Sequence, residues 1–204
     1  MTLKALVFDI DGVLLDHENE KGHDWTINIE NDLNISKETV EQLHKNAKQW
    51  HNLSLGQDKV EEYFAKFLEE HNITKINAMQ LVNYFINNDT NTRYYMFDEV
   101  KKLTDKNYQL YIGTHQIPEK GQRLWFIEDF NKYFIKMFTS YNVGYMKHEL
   151  QFFEKITDEL HLSPNEIMLI DDKQKNVDTA INAGWQGYLY TTFEDIKENL
   201  FNRL

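Results

Sequence analysis

The sequence contains no cysteine among its 204 residues. Disulfide bonds, thiolate nucleophiles and zinc–thiolate sites are therefore excluded, and the composition is compatible with a reducing compartment. No apolar stretch approaches the roughly 20 residues that a membrane-spanning helix needs. Aspartates also interrupt the first apolar run too early for the core of a signal peptide. We therefore expect a soluble, cytoplasmic protein that does not bind membranes.

Positive charge is scarce as well. The chain has 22 lysine and arginine residues against 33 aspartate and glutamate residues, which gives a formal net charge of −11 at pH 7. Sequence-independent affinity for nucleic acid comes mainly from basic side chains that neutralise phosphates, so we do not expect a nucleic-acid partner. A small phosphorylated ligand remains compatible with this charge, because a bound cation can reverse the field within one cleft.

The residues that are present are typical of a folded protein, with a hydrophobic fraction of 41%. Short apolar runs alternate with amphipathic helical patterns from about residue 92 to the end of the chain. The predicted strands are "KALVFDI" (4–10), "YQLYIGT" (108–114), "IKMFTS" (135–140), "EIMLIDD" (166–172) and "WQGYLY" (185–190). This alternation predicts a Rossmann-like α/β fold, in which helices flank a parallel sheet. Right-handed crossovers then bring the C-terminal ends of the strands to one edge.

The region between the first strand and the alternating part has only helical patterns. These are residues 36–50, which open on Ser36 as an N-cap residue, residues 57–71 and residues 75–87. The aromatic residues Tyr63, Phe64, Phe67 and Phe85 fall at helical spacing and are expected to form the core of this block. We predict a catalytic core of residues 1–16 and 93–204 with an inserted all-helical domain of residues 17–92.

Polar side chains follow several of the predicted strands at the point where each strand ends. They are Asp9, Asp11, Thr114, Lys147, Asp171 and Asp172. Ligands in open α/β sheets bind outside the C-terminal ends of the strands, so we expect these side chains to meet, although each alone is typical of a solvated loop. Crowded carboxylates raise one another's pKa values, and a bound divalent cation would relieve this. An all-oxygen ligand set suits Mg²⁺, so we predict a magnesium site.

The order of these residues resembles the four motifs of the haloacid dehalogenase superfamily. The motifs are "DIDGV" (9–13), a strand that ends in Thr114, Lys147 at the end of "VGYMK" (143–147), and "IDDKQKNVDTAINAG" (170–184). The resemblance covers residues 3–16 and the chain from about residue 93. The helical block takes the place of the helical cap of subfamily I, and part of it is similar to the cap helices of small sugar-phosphate phosphatases.

The resemblance implies a Mg²⁺-dependent phosphomonoesterase. Asp9 would be the nucleophile and would form an aspartyl-phosphate, and Asp11 would act as general acid and then general base. Lys147 would neutralise the nucleophile and the phosphate, and Thr114 would hydrogen-bond the transferring group. Dehalogenases of this superfamily do not need a second acid, so Asp11 favours phosphoryl transfer.

The resemblance also implies a metal site. Asp9, the carbonyl oxygen of Asp11 and Asp172 would hold Mg²⁺. Asp171 would be a further ligand or a hydrogen-bond acceptor beside the metal, and Asn176 would orient these groups.

The sequence departs from the family pattern at three positions. His115 stands where relatives commonly have asparagine, His148 where they have proline, and Lys173 where they have a small hydroxyl residue. His115 and Lys173 would either add positive charge near the phosphate, with His115 as a substrate-binding residue, or face solvent. No chemically required group is missing.

Several alternatives stay open at the level of the sequence. A phosphomutase of the same superfamily has the same residues, and a non-catalytic protein could use the helical block to bind a partner. The substrate is expected to be a small phosphorylated metabolite, with a sugar phosphate as the first candidate. Asp16, His17, His23, Trp25, Trp50 and His51 are either pocket or hinge residues or ordinary surface positions.

Overall fold

The computed structural model describes residues 3–15 and 25–204. Five parallel strands form one sheet in the order β3-β2-β1-β4-β5. The strands are β1 (Ala5–Phe8), β2 (Gln109–Thr114), β3 (Lys136–Thr139), β4 (Ile167–Asp171) and β5 (Gln186–Leu189). The central strand β1 pairs with β2 and β4, so that Val7 lies opposite Tyr111 and Leu169. The predicted Rossmann-like α/β fold is confirmed.

Helices cover both faces of the sheet. They are α6 (Tyr94–Asp105), α7 (Pro118–Phe126), α8 (Ser140–Val143), α9 (Leu150–Leu160), α10 (Gln174–Asn182) and α11 (Phe193–Ile196), the last continued by a π-helical turn over Lys197–Phe201. Leu6 and Phe8 pack with α6 on one face, and Val7 packs with α9 on the other. Because alternate residues of a strand point to opposite faces, both hydrophobic clusters hold β1 in place. This fixes the position of Asp9, the residue directly after it.

The described part of the helical block, residues 25–92, is called the cap segment below. It contains α1 (Ile29–Leu33), α2 (Lys37–Val40), α3 (Ala47–Ser54), α4 (Val60–Glu70) and α5 (Ala78–Asn88). Its side chains form a hydrophobic cluster of their own, which one residue from outside the segment, Ile117, joins. Phe64, Phe67 and Phe85 are buried in this cluster as expected, whereas Tyr63 is half-buried and its hydroxyl donates to the carbonyl of Leu43 at 2.7 Å.

The domain limits remain a prediction, because the proposed junction after residue 16 lies outside the described residues, as do Asp16, His17 and His23.

The first helical pattern of this segment is not one helix. Helix α2 ends at Val40, a 3₁₀ helix covers Glu41–Lys45, and α3 begins only after Asn46. The Asn46 side chain accepts a hydrogen bond from the backbone N–H of Gln49 at 3.1 Å. Asparagine competes for backbone hydrogen bonds in this way, so it starts a new helix instead of continuing the old one. Ser36 caps α2 as predicted.

Helix α11 follows two consecutive threonines, Thr191 and Thr192. Thr192 is the N-cap of α11, and its hydroxyl accepts a hydrogen bond from the N–H of Asp195 at 3.1 Å. Both threonines precede acidic residues at the required spacing, so the sequence pattern alone does not separate them.

The two chain segments that join the cap segment to the sheet meet beside the strand ends. Leu15 forms a β-bridge with Thr92, and the N–H of Arg93 donates to the carbonyl of Leu14 at 2.9 Å. The Arg93 guanidinium donates to the Gly12 carbonyl at 2.9 Å and to the Tyr190 hydroxyl at 2.8 Å. These contacts hold the segment that leaves the sheet and the segment that returns to it together next to Asp9.

Over residues 3–15 and 25–204, no helix has the length and apolar character of a membrane span.

Candidate active site

The Asp9 carboxylate lies in a buried ion-pair network at the end of β1. The Lys147 ammonium is 2.6 Å from Oδ1 of Asp9 and 2.7 Å from Oδ2 of Asp171, and the whole Lys147 residue is 1% exposed. Asn176 donates to both carboxylate oxygens of Asp171, and the N–H of Lys173 donates to one of them at 2.9 Å. Asp171 therefore receives hydrogen bonds on both oxygens, which favours its role as an acceptor that fixes Lys147.

The pKa values of the two buried carboxyl groups, Asp9 and Asp171, shift in opposite directions. Burial raises the pKa of Asp9 to about 8, and the charges of Asp171 and Asp11 add to this, while Lys147 opposes it. Burial acts on Asp171 in the same direction, but Lys147 and the hydrogen bonds from Lys173 and Asn176 outweigh it and lower the pKa. A cation beside Asp9 would restore the charged carboxylate, because an opposite charge favours the ionised form.

The residues present fit a magnesium ion. Asp9, Asp171 and Asp172 each offer a carboxylate oxygen, and these atoms lie within 4.8 Å of one another. Oδ1 of Asp172 is buried and accepts no hydrogen bond from the described residues. Gly12 has a φ of +81°, and a Cβ there would lie 2.5 Å from Oδ2 of Asp172. Only glycine therefore leaves room for this carboxylate, and the all-oxygen set is the kind that Mg²⁺ prefers.

The Thr114 side chain lies at the end of β2, beside β1. Its hydroxyl is buried and has no hydrogen-bond partner among the described residues. A buried hydroxyl without a partner is costly, and a ligand oxygen would satisfy it. The hydroxyl of Thr114 and Oδ1 of Asp172 are thus two buried oxygens at the same sheet edge that could contact a ligand.

His115 contacts the chain that carries Lys147. Its Nε2 accepts a hydrogen bond from the backbone N–H of Lys147 at 2.7 Å. Burial, reinforced by the charge of Lys147, lowers the pKa of His115 to about 3. The ring is therefore neutral and adds no positive charge, and the role of His115 in substrate binding stays a prediction. The centroid of the His148 ring lies 6.5 Å from that of the His115 ring.

Lys173 does not extend into solvent away from the site. Its ammonium is 2.7 Å from Oδ2 of Asp172, although the side chain is 67% exposed. The hydrogen bond to Asp172 raises the pKa of Lys173. Lys173 therefore places its positive charge on one of the candidate metal ligands.

Asp11 is held by two residues outside the predicted site, Gln116 and Lys120. Gln116 donates to Oδ2 of Asp11 at 2.5 Å, and the Lys120 ammonium lies 3.5 Å from Oδ1. The same ammonium lies 2.5 Å from Oδ2 of Asp89, directly after helix α5 of the cap segment. One signal could have identified Lys120, since it occupies the apolar stripe of α7 with Ile117 and Leu124.

A cavity of about 370 Å³ lies between the cap segment and the sheet edge. Its lining includes Asp11, Gln116 and Lys120 on the sheet side, and Trp25, Trp50 and Phe85 on the cap side. His115 also lines it, whereas His51 does not. The general acid–base candidate thus faces a space of the size of a small metabolite.

Comparison with known proteins places this site in a family. A family model described as haloacid dehalogenase-like hydrolase matches residues 3–184. A search of curated proteins found no significant match.

Solved structures share the fold. A HAD family enzyme from Bacteroides thetaiotaomicron has 20% identity and a TM-score of 0.78, with 98% of each chain covered. A HAD-like family hydrolase from Porphyromonas gingivalis has 19% identity and a TM-score of 0.77, with 100% of this chain and 98% of that chain covered. The L-2-haloacid dehalogenase from Xanthobacter autotrophicus has 14% identity and a TM-score of 0.68, with 100% and 84% covered.

The match to the family model spans most of the chain and includes Asp9, Thr114, Lys147, Asp171 and Asp172. The protein is therefore a member of the haloacid dehalogenase-like hydrolases.

Proposed function

We propose that the protein is a Mg²⁺-dependent phosphomonoesterase that acts on a small phosphorylated metabolite through an aspartyl-phosphate. The observation that carries this proposal is the convergence of the Asp9–Lys147 ion pair with two buried oxygens, Oγ1 of Thr114 and Oδ1 of Asp172, which have no hydrogen-bond partner among the described residues. The Bacteroides thetaiotaomicron enzyme has also been crystallised as a complex with magnesium and inorganic phosphate, at 21% identity, a TM-score of 0.71, and 97% and 99% of the chains covered.

In the first step the Asp9 carboxylate attacks phosphorus, and the bond to the leaving oxygen breaks. Asp11 gives its proton to that oxygen, so the product leaves as an alcohol. Lys147 and Thr114 bind the phosphoryl oxygens, where negative charge concentrates. In the second step Asp11 accepts a proton from water, the water oxygen attacks the aspartyl-phosphate, and Asp9 is regenerated with release of phosphate.

The metal would be held by Asp9, Asp172 and the carbonyl oxygen of Asp11. When bound, Mg²⁺ supplies positive charge that offsets the phosphoryl oxygens and keeps Asp9 ionised. Asp171 serves this site indirectly, because its two oxygens already receive hydrogen bonds from Lys147, Lys173 and Asn176.

The alternatives are less well supported. Lys120 is the only lysine or arginine among the described residues that line the cavity, and Asp89 already pairs with it. The second phosphate of a phosphomutase's bisphosphate intermediate would lack a cation there. The family is one of hydrolases, which disfavours a purely binding role. Asp11 disfavours attack on a carbon–halogen bond, since that reaction releases a halide that needs no proton.

The proposal predicts phosphate release from p-nitrophenyl phosphate in the presence of Mg²⁺. Asp9→Asn removes the negative charge of the oxygen that attacks phosphorus, so kcat should fall by at least about 10³-fold. Chelation by EDTA should abolish the activity, and added Mg²⁺ should restore it. The matched control is Asp105→Asn, because this carboxylate is exposed at the end of α6.

Retention of activity in Asp9→Asn would contradict the mechanism, and an inactive wild-type protein would contradict the function. Product analysis with a sugar phosphate separates the two phosphoryl-transfer reactions. Free phosphate supports the phosphomonoesterase, whereas a phosphate isomer that forms through a bisphosphate supports the mutase.

A further inference from the structure

Lys120 is a lysine in a position where helix α7 should be apolar. It lies one turn from both Ile117 and Leu124, and it is 2% exposed. A buried ammonium is strongly unfavourable unless acidic groups accompany it. Lys120 therefore requires acidic groups beside it, and the identity of these groups indicates its role.

Two carboxylates from different parts of the fold meet at this ammonium. Asp89 follows helix α5 of the cap segment and lies 2.5 Å away, whereas Asp11 follows β1 and lies 3.5 Å away. The ring of Phe85 is 5.9 Å from the ammonium, measured to its centroid. Burial lowers the pKa of Lys120, but Asp11 and Asp89 outweigh this and raise it, so the group stays charged.

The Asp11 carboxylate is contacted at both oxygens from the start of α7. Gln116 donates to Oδ2, and Lys120 lies next to Oδ1. Both donor side chains are buried, and α7 is packed into the hydrophobic core through Leu124. Two buried side chains at the start of α7 therefore restrict the rotation of the Asp11 carboxylate.

We infer that Lys120 is a positioning residue that orients the carboxylate of Asp11 toward the leaving oxygen and is itself held by Asp89 of the cap segment. This inference rests on the proposed function, because Asp11 needs orientation only if it transfers a proton. General acid catalysis depends on the geometry of the proton donor. A misdirected Asp11 slows the reaction when the leaving group needs a proton and matters little when it does not.

The test compares two esters by kcat/KM, which reports only the steps up to departure of the leaving group. Glycerol 2-phosphate has an alkoxide leaving group that needs a proton, and p-nitrophenolate departs without one. Lys120→Met should lower kcat/KM for glycerol 2-phosphate by about 10²-fold and for p-nitrophenyl phosphate by less than about threefold. Lys120→Arg should recover part of the loss. Lys101→Met, an exposed lysine on α6, is the matched control.

An equal loss with both esters would overturn the inference, because it would show that Lys120 binds substrate or only stabilises the fold. An unchanged kcat/KM for both esters would overturn it as well. In an Asp11→Asn background, Lys120→Met should cause no further loss, since the group that it orients is gone. Additive losses would contradict the positioning role.

Asp89→Asn provides a second route to the same test if Lys120→Met does not fold. It leaves the lysine in place and removes its closer partner, so the selective loss with glycerol 2-phosphate should reappear in weaker form. A wild-type enzyme without phosphatase activity would refute the proposed function. An active wild type with equal losses in the variants would refute this inference alone.

Discussion

His115 shows how one side chain links the site to the pH dependence of stability. In the folded protein its pKa is about 3, because burial and the charge of Lys147 disfavour the protonated ring. In the unfolded chain a histidine binds a proton below about pH 6.5. Unfolding between these pH values therefore takes up a proton. The contribution of His115 to the free energy of unfolding is complete above about pH 6.5 and decreases as the pH is lowered.

His115→Asn should remove this contribution. We expect the free energy of unfolding of the wild type to fall with decreasing pH more steeply than that of the variant, by up to about 1.4 kcal/mol per pH unit. Urea denaturation at intervals between pH 6.5 and 4.5 measures the two slopes. His161→Asn is the control, since this exposed residue has a φ of +53° that asparagine tolerates. Equal slopes in wild type and His115→Asn would refute the assignment.

The residues at the strand ends could be predicted from the sequence, whereas the contacts that they make around Asp11 could not. Asp9, Thr114 and Asp171 come directly after or at the end of buried apolar runs, and parallel strands end at one edge. Lys120, by contrast, is separated from Asp11 by 109 residues and from Asp89 by 31. Its role depends on how α7 packs against the cap segment, which no local pattern specifies.

At the scale of elements, the contacts of Arg93 connect three parts of the fold. The residue precedes α6, donates to Gly12 after β1, and donates to Tyr190 after β5. Its guanidinium also lies 5.3 Å from the centroid of the Tyr190 ring. The predicted strands contain the observed ones, with up to two extra residues at each end. The helical pattern over residues 36–50 does not indicate the helix boundary at Asn46, because the residues on both sides of it favour a helix.

Arg93→Met should destabilise the protein through the loss of these charged hydrogen bonds. We expect the free energy of unfolding to fall by about 1.5–3 kcal/mol, measured by urea denaturation. Tyr190→Phe should cost less, and the double variant should cost less than the sum, because both changes remove one shared contact. Arg203→Met, at an exposed position, is the control. Strict additivity would indicate that the two side chains act independently.

At the scale of the molecule, the hydrophobic interior is divided. Two clusters lie on the faces of the sheet, and the third lies within the cap segment. Between the third cluster and the sheet, the described contacts include Ile117 and the Lys120–Asp89 pair. Because the cap segment has a hydrophobic cluster of its own, we expect it to open while the sheet stays folded.

Phe64→Ala should therefore act locally. Phe64 is fully buried in the cap segment, and its truncation should cost about 3–5 kcal/mol. Hydrogen exchange followed by mass spectrometry should show faster exchange in α4 and α5 and unchanged exchange in β1 and β4. Phe152→Ala, beneath the sheet, is the matched control and should speed exchange in the strands. Uniformly faster exchange in Phe64→Ala would show that the protein unfolds as a single unit.

The bridge between Leu15 and Thr92 has a further consequence for how such a protein changes over generations. Each doubling of the length of a segment whose ends are held together adds only about 0.6 kcal/mol to the entropic cost of closing it. Residues between these ends can be lengthened, shortened or exchanged while the strands and the acidic cluster keep their places. The bridge thus allows the inserted helices to be replaced in evolution while the sheet and its acidic cluster are kept.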